Sequence, residues 1–323
     1  MRHLKVITIH HPHSLNQEDF PPIVMALGYF DGIHKGHQRV ILSAKEIAEQ
    51  NNWKSAVMTF DPHPSVVLSQ KHKQVELITP LEDKKQLIEK MGIDYLFIVR
   101  FTSNFANLSP EEYVNQYITR LNVKHVVAGF DFSYGKFGKG TMETLPIHAN
   151  GNFTCTTVEK LEINRHAGEE KVSSTLTRQL LASGNMTEVS QVLGRFYHTN
   201  GIVIHGEKRG RQIGFPTANI QLKSEYITPK TGVYAVKLLV SGNWYNGVCN
   251  VGFKPTFKKE EEYSLTVEVH IIDFDHSIYG EEVTIEWHKR IRDEKKFNGI
   301  DQLKEQIEKD KQEAIEYFKK IVE

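Results

Sequence analysis

The sequence predicts two domains of different class: an α/β domain on a parallel sheet, then a small antiparallel β-barrel ending in a helix. Three observations carry this prediction. Residues 23–129 alternate short, continuous apolar runs with capped helical patterns, which is how a parallel sheet covered on both faces reads. Residues 201–290 hold five or six short strand-like runs separated by turn signals, with little helical periodicity, as a closed or nearly closed barrel requires. Residues 300–322 return to a helical period. A chain of 323 residues can bury two such cores, and the boundary is expected near residue 185, giving domains 1–184 and 185–323.

The elements follow in order. Strands are expected at 23–29, at SAVMTF (55–60), at DYLFIV (94–99) and at KHVVAG (124–129). Helices are expected over 36–50, 79–91 and 109–118; in the last two, Thr79 or Ser109 precedes a proline and an acidic first turn, which is good helix-start chemistry. SSTLTRQLLASGN (173–185) predicts another helix, capped by Ser or Thr and ended by Gly184-Asn185. The barrel strands are GIVIHG, VYAVKLLV, WYNGVCNVG, LTVEVHII and EVTIEWHKR, the second and third joined by a tight hairpin at Ser241-Gly242-Asn243. Leu303, Ile307, Ala314, Ile315 and Phe318 share one face of the terminal helix, which is expected to pack on the barrel.

Bulk chemistry excludes several roles. Forty basic residues balance forty acidic ones, so the basic excess of a nucleic-acid binder is missing. No run approaches the length that spans a bilayer, and the amino terminus lacks the character of a signal peptide. Cys155 and Cys249 stand in no metal-ligand spacing and read as packed thiols of a reducing compartment. The expectation is a soluble cytoplasmic protein with no nucleic-acid or membrane partner. His3, His10, His11 and His13 read as surface histidines, because no carboxylate or thiolate completes a metal spacing.

The densest stretch is GYFDGIHKGH (28–37), between an expected strand and an expected helix. In an open α/β sheet ligands bind where strands end and helices begin, and a helix amino terminus favours phosphate. Gly28, Gly32 and Gly36 let the backbone approach a nucleotide, while His34 and His37, three apart, can face one bound group. This suits nucleotidyl transfer, in which the protein aligns reactants and stabilises charge building on phosphate oxygens. The plainer alternative is a glycine-rich turn whose histidines cap or pack. FDPHP (60–64) reads as a loop stiffened by two prolines, with no chemical role for His63.

A second dense stretch is GEKRGRQIGFPTANI (206–220). Gly206, Gly210 and Gly214 permit a close-fitting loop, and Lys208, Arg209 and Arg211 add charge for phosphates. Thr217 and Asn219 are spaced to lie on one side of an extended backbone, and their oxygens suit Mg²⁺; a simple turn is the alternative. In LTVEVHII, alternation puts Leu265, Val267, Val269 and Ile271 on one face and Thr266, Glu268 and His270 on the other. Glu268 is then either the base that a kinase places near an alcohol or an ordinary exposed carboxylate.

GYFDGIHKGH, FDPHP, GFDFSYG (129–135) and SSTLTR (173–178) resemble, in order, the FMN adenylyltransferase module of bacterial bifunctional riboflavin kinase/FAD synthetases. GFPTAN, GVCNVGFKPTF, VEVHIIDFDHSIYG and KRIRDEKKF are similar to successive stretches of the riboflavin kinase module. The resemblance covers nearly the whole chain. It implies a Rossmann-like nucleotidyltransferase domain and a flavokinase-type barrel, with ATP as co-substrate, Mg²⁺ as cofactor, and riboflavin, FMN and FAD as the flavins handled. Position by position it implies that His34 and His37 contact the ATP phosphates, that Phe30 and Gly32 line the adenine-nucleotide site, and that Asp131 lies in a ligand-contacting loop. Ser174, Thr175 and Arg178 would bind phosphates. In the other module Thr217 and Asn219 would hold Mg²⁺, Glu268 would act as base, and Arg292 would belong to a loop closing over the flavin. Thr177 departs from the isoleucine usual before that arginine, a change expected to alter packing rather than chemistry. The alternatives are an enzyme with one inactive half, a flavin-sensing regulator on the same scaffold, and nucleotidyl transfer to another acceptor.

Overall fold

The computed structural model describes residues 3–69, 75–165, 168–207, 209–223, 225–255 and 263–322, and divides into two compact units, Met1–Ser174 and Thr175–Glu323. The first unit runs β1 (Lys5–Ile9), β2 (Ile23–Leu27), α1 (Lys35–Gln50), β3 (Lys54–Asp61), α2 (Pro64–Leu68), α3 (Leu81–Lys90), β4 (Tyr95–Arg100), α4 (Ser103–Ala106), α5 (Pro110–Tyr117), β5 (Val123–Gly129), β6 (Ser133–Tyr134), β7 (Gly140–Thr141), α6 (Leu145–Ala149), β8 (Thr154–Val158), β9 (Glu162–Arg165) and β10 (Gly168–Lys171). Helix α7 (Ser174–Ser183) spans the division.

Six strands form one parallel sheet in the order β1-β4-β3-β2-β5-β8. Every residue of β2 is buried, because helices cover both faces. Ile23, Met25 and Leu27 pack with Tyr113, Val114 and Tyr117 of α5. Val24 and Ala26 pack with Val40, Ile41 and Ala44 of α1. That period of two is the reason a central strand reads as an unbroken apolar run. Strand β2 ends at Leu27 rather than at residue 29, since the chain turns at once: Phe30 and Ile33 sit at φ 58° and 38°. The expected Thr79 cap of α3 is also corrected. Pro80 occupies the cap position and, having no polar side chain, makes no cap bond; Thr79, one residue earlier, donates its N–H to the Asp31 carboxylate at 3.0 Å. Helix α5 has its capping box, Ser109 with Glu112. His11 and His13 lie against the Tyr117 ring, at 6.2 and 5.0 Å, and among the described residues no cluster of His, Cys, Asp and Glu could hold a metal.

The second unit continues with α8 (Met186–Leu193), β11 (Tyr197–Ile204), α9 (Arg209–Gln212), β12 (Ala218–Leu222), β13 (Gly232–Val240), β14 (Asn243–Pro255), β15 (Tyr263–Ile271), β16 (Glu282–Arg292) and α10 (Ile300–Val322). The six strands close into an antiparallel barrel, β11-β12-β15-β14-β13-β16. The hairpin between β13 and β14 has a two-residue loop, Ser241 and Gly242 at φ 47° and 84°, the left-handed pair that matches strand twist. Trp287 fills the barrel and donates its indole N–H to Thr199 at 3.0 Å. In β15 the alternation holds for Val267, Val269 and Ile271, all buried, whereas Leu265 at the strand's start is exposed.

Helix α10 lays Ala314 and Phe318 on Val233, Ala235 and Val248, with Leu303 and Ile307 half-buried further along. The same face carries Asp310, only 3% exposed, which accepts from Arg292 Nε at 2.9 Å and from Nη2 at 2.7 Å. Removing one partner of such a pair strands a charge in the interior. Asp310→Ala is expected to cost about 3 kcal/mol, read as a lower urea midpoint of the barrel followed by Trp fluorescence.

Candidate active sites

The first site is built on the chain reversal after β2. Strand β2 lies between β3 and β5, where connections leave in opposite directions and the strand ends open a crevice. His34 is the N-cap of α1, and its Nδ1 accepts from the His37 N–H at 3.2 Å. The two imidazoles stack, with centroids 3.6 Å apart and planes at 19°. Phe30 meets His37 edge-on at 5.2 Å. His37 Nδ1 is buried with no hydrogen-bond partner. Burial, then the neighbouring His34, Lys84 and Lys171, hold the His37 pKa well below the ordinary histidine value. His37 is therefore neutral near pH 7.

Two residues that sequence reasoning passed over hold this turn in place. The Asp31 carboxylate accepts from the N–H groups of Ile78 and Thr79, at 2.9 and 3.0 Å, tying the turn to the chain entering α3. Lys84 on α3 is buried and donates to the Tyr29 carbonyl at 2.7 Å and to the Thr59 hydroxyl at 3.2 Å. Burial lowers the Lys84 pKa from 10.5 to about 8, against the opposing pull of Asp31 and Asp61. An unfolded lysine keeps its proton up to 10.5, so between pH 8 and 10.5 the unfolded chain binds more protons than the folded one. This group therefore adds about 3 kcal/mol of stability as pH rises through that window. A sequence signal for Lys84 existed: with Leu81 and Ile88 it falls on the apolar stripe of the helix.

Ser174 donates its hydroxyl to the Asp31 carbonyl at 2.8 Å. Further along α7, Thr175 is exposed and Arg178 half-buried. Thr177 is wholly buried. Gly32 lies in the reversal at φ 92°. Asp131, in the loop after β5, is exposed and paired with Lys171 at 2.6 Å, whose ammonium also lies 4.4 Å from the Phe130 ring. His63 caps α2 through Ser65 and meets the Tyr29 ring edge-on at 4.4 Å. The stiff FDPHP loop thus starts a short helix.

The second site lies on the barrel. Register pairs Glu268 of β15 with Asn219 of β12 on one side and with Asn250 of β14 on the other. Directly paired residues share a face, so the carboxylate sits between two amides, opposite the face of Val267 and Val269. Cys249, paired with Val269 on the opposite face, is buried, and burial raises its thiol pKa well above the ordinary value, with Glu268 adding to the effect; it is a packed thiol. A Cβ at Gly206 would lie 2.2 Å from the Asn219 amide and displace it. Thr217 is half-buried just before β12. Thr217 and Arg211 line a cleft with Val269 and the 274–279 segment. Gly210 lies in α9 and Gly214 in the turn after it; Lys208, Thr256 and Phe257 lie outside the described residues.

Arg292 ends β16. Its guanidinium is engaged by Asp310 and by the Asp293 carbonyl. The group that reaches the site from the 293–299 segment is Glu294, whose carboxylate lies 2.2 Å from a Cβ built at Gly252, beside Asn250. Asn250 and Glu294 escaped sequence reasoning because only strand register brings them to Glu268.

Residues 16–176 match the model of the FAD synthetase family, and residues 193–318 match that of riboflavin kinase. A bifunctional riboflavin kinase/FMN adenylyltransferase of Bacillus subtilis is 54% identical over 98% of this chain and 99% of its own. The protein of the same description from Escherichia coli K12 is 33% identical over 95% and 96%. A crystal structure named for a macrolide-efflux protein of Streptococcus pneumoniae superposes with a TM-score of 0.84 at 36% identity, covering 95% of this chain and 98% of that one. Efflux is said of that protein; among the described residues here, no helix is long and apolar enough to cross a membrane. On identity and coverage together, the chain belongs to the family of bifunctional riboflavin kinases/FMN adenylyltransferases.

Proposed function

We propose that the protein phosphorylates riboflavin with ATP to give FMN, then adenylylates FMN with a second ATP to give FAD and pyrophosphate. The observation that carries this reading is that each unit holds its own polar cluster: the stacked imidazoles at the start of α1 and Glu268 between two amides. We assign residues 1–184 to adenylyl transfer and 185–323 to the kinase, working in the cytoplasm.

In adenylyl transfer a phosphate oxygen of FMN attacks the α-phosphorus of ATP as pyrophosphate leaves. His34 and His37 donate hydrogen bonds to oxygens on which charge builds. Phe30 and Gly32 line the adenine-nucleotide site, and Asp131 belongs to a loop that meets the ligand. Ser174, Thr175 and Arg178 hold phosphates, Arg178 through its planar fork. In the kinase, Glu268 takes the proton of the ribityl hydroxyl as that oxygen attacks the γ-phosphorus and ADP leaves with the bridging oxygen. Gly206, Gly210 and Gly214 let the loop lie close to ATP, and Arg292 anchors the 293–299 segment at the flavin side.

Thr217 and Asn219 fit Mg²⁺: both offer hard oxygen donors, and the missing Cβ at Gly206 leaves the Asn219 amide its space. When bound, the ion neutralises phosphate charge. The test is incubation with riboflavin, ATP and Mg²⁺ followed by separation of flavins. FMN and then FAD are expected, and excess EDTA is expected to stop both. Flavin binding with neither product formed would instead make this a flavin-sensing scaffold.

A further inference from the structure

Lys84 stands out among the charged side chains of the first unit. It is 2% exposed, and it sits near the amino-terminal end of α3, where the helix dipole disfavours a cation. Its ammonium rests on neutral partners: the Tyr29 carbonyl at 2.7 Å, the Thr59 hydroxyl at 3.2 Å and the Tyr29 ring at 4.2 Å. Thr59 donates to the same carbonyl at 2.8 Å. A buried cation without a bonded carboxylate is costly, and an apolar residue would fill the position more stably. The Tyr29 carbonyl is the joint between β2 and the reversal that presents both imidazoles.

We propose that Lys84 is a positioning residue for adenylyl transfer, fixing the Tyr29 joint so that His34 and His37 meet the reacting phosphates in one orientation. The inference rests on the adenylyl-transfer reading above. Asp31, bonded to Ile78 and Thr79, secures the reversal from a second direction, so motif and helix start form one frame. After burial and His34, the charge of the same ammonium, with that of Lys171, opposes protonation of His37. Asp31 and Asp61 favour the charged lysine, and Arg100 pairs with Asp61.

Lys84→Met and Lys84→Gln separate holding from filling. Methionine fills the space without donating; glutamine donates without charge. In Lys84→Met, kcat for FMN to FAD is expected to fall about 100-fold, the scale of a small misplacement of reacting groups, with KM for ATP little changed. Lys84→Gln is expected to recover at least about tenfold of that loss, on the scale of one restored hydrogen bond. FMN formation from riboflavin and the melting temperature at pH 7 should not fall in either variant. In ¹³C-histidine NMR, His37 should titrate at a higher pH in both. Unchanged FAD formation in Lys84→Met, no recovery in Lys84→Gln, an unmoved His37 titration, or melting below wild type in both variants would each overturn the proposal. A wild-type protein that makes no FAD from FMN would overturn the activity reading instead.

Discussion

Glu268→Gln is expected to abolish FMN formation from riboflavin while leaving FAD formation from supplied FMN at the wild-type rate. The substitution keeps the shape of the side chain and its place between Asn219 and Asn250, and removes only the capacity to take a proton. Loss of a positioned base costs about 10²–10⁴ in rate. The β12–β15 and β14–β15 pairings do not depend on a charge at this position, so the barrel should fold as before. Measuring both activities on one preparation decides the point. A parallel loss of the two would mean that they do not reside in separate clusters.

His37→Ala is expected to do the reverse. It removes one donor at the place where charge develops, an effect of about 10²–10³ in kcat, and also the ring that stacks on His34 at 3.6 Å. The riboflavin kinase step should be untouched. Burial holds this imidazole well below the ordinary histidine pKa, so the wild-type FMN-to-FAD rate should show no titration of His37 near pH 6.5. An acid limb centred there, abolished by His37→Ala, would show that the imidazole is not held neutral.

The sequence-legible part of this molecule was local. GYFDGIHKGH declares its own geometry, because glycines, a cap and a helix start are near neighbours in the chain. The capping box at Ser109 and the Ser241-Gly242 loop are local in the same way. What escaped depends on distant partners. Strands β1 and β8 are the edges of the sheet, and their half-exposed residues lack the continuous apolar run that marked β2. Lys84 stands on the apolar stripe of α3, but nothing near it in the chain names the Tyr29 carbonyl as its partner. Asn250 and Glu294 acquire meaning only from the register of β14 with β15 and from the path of the chain after β16. The pairing of Arg292 with a carboxylate 18 residues on is likewise invisible until the terminal helix is laid on the barrel. The terminal helix was visible from its apolar face, but not the aspartate on that face.

The cap on α1 also decides a proton. Because Nδ1 of His34 accepts from the first turn of the helix, a neutral imidazole must carry its hydrogen on the other nitrogen. The secondary structure thus chooses the tautomer, and the ring arrives as a ready-made donor without waiting for solvent acidity.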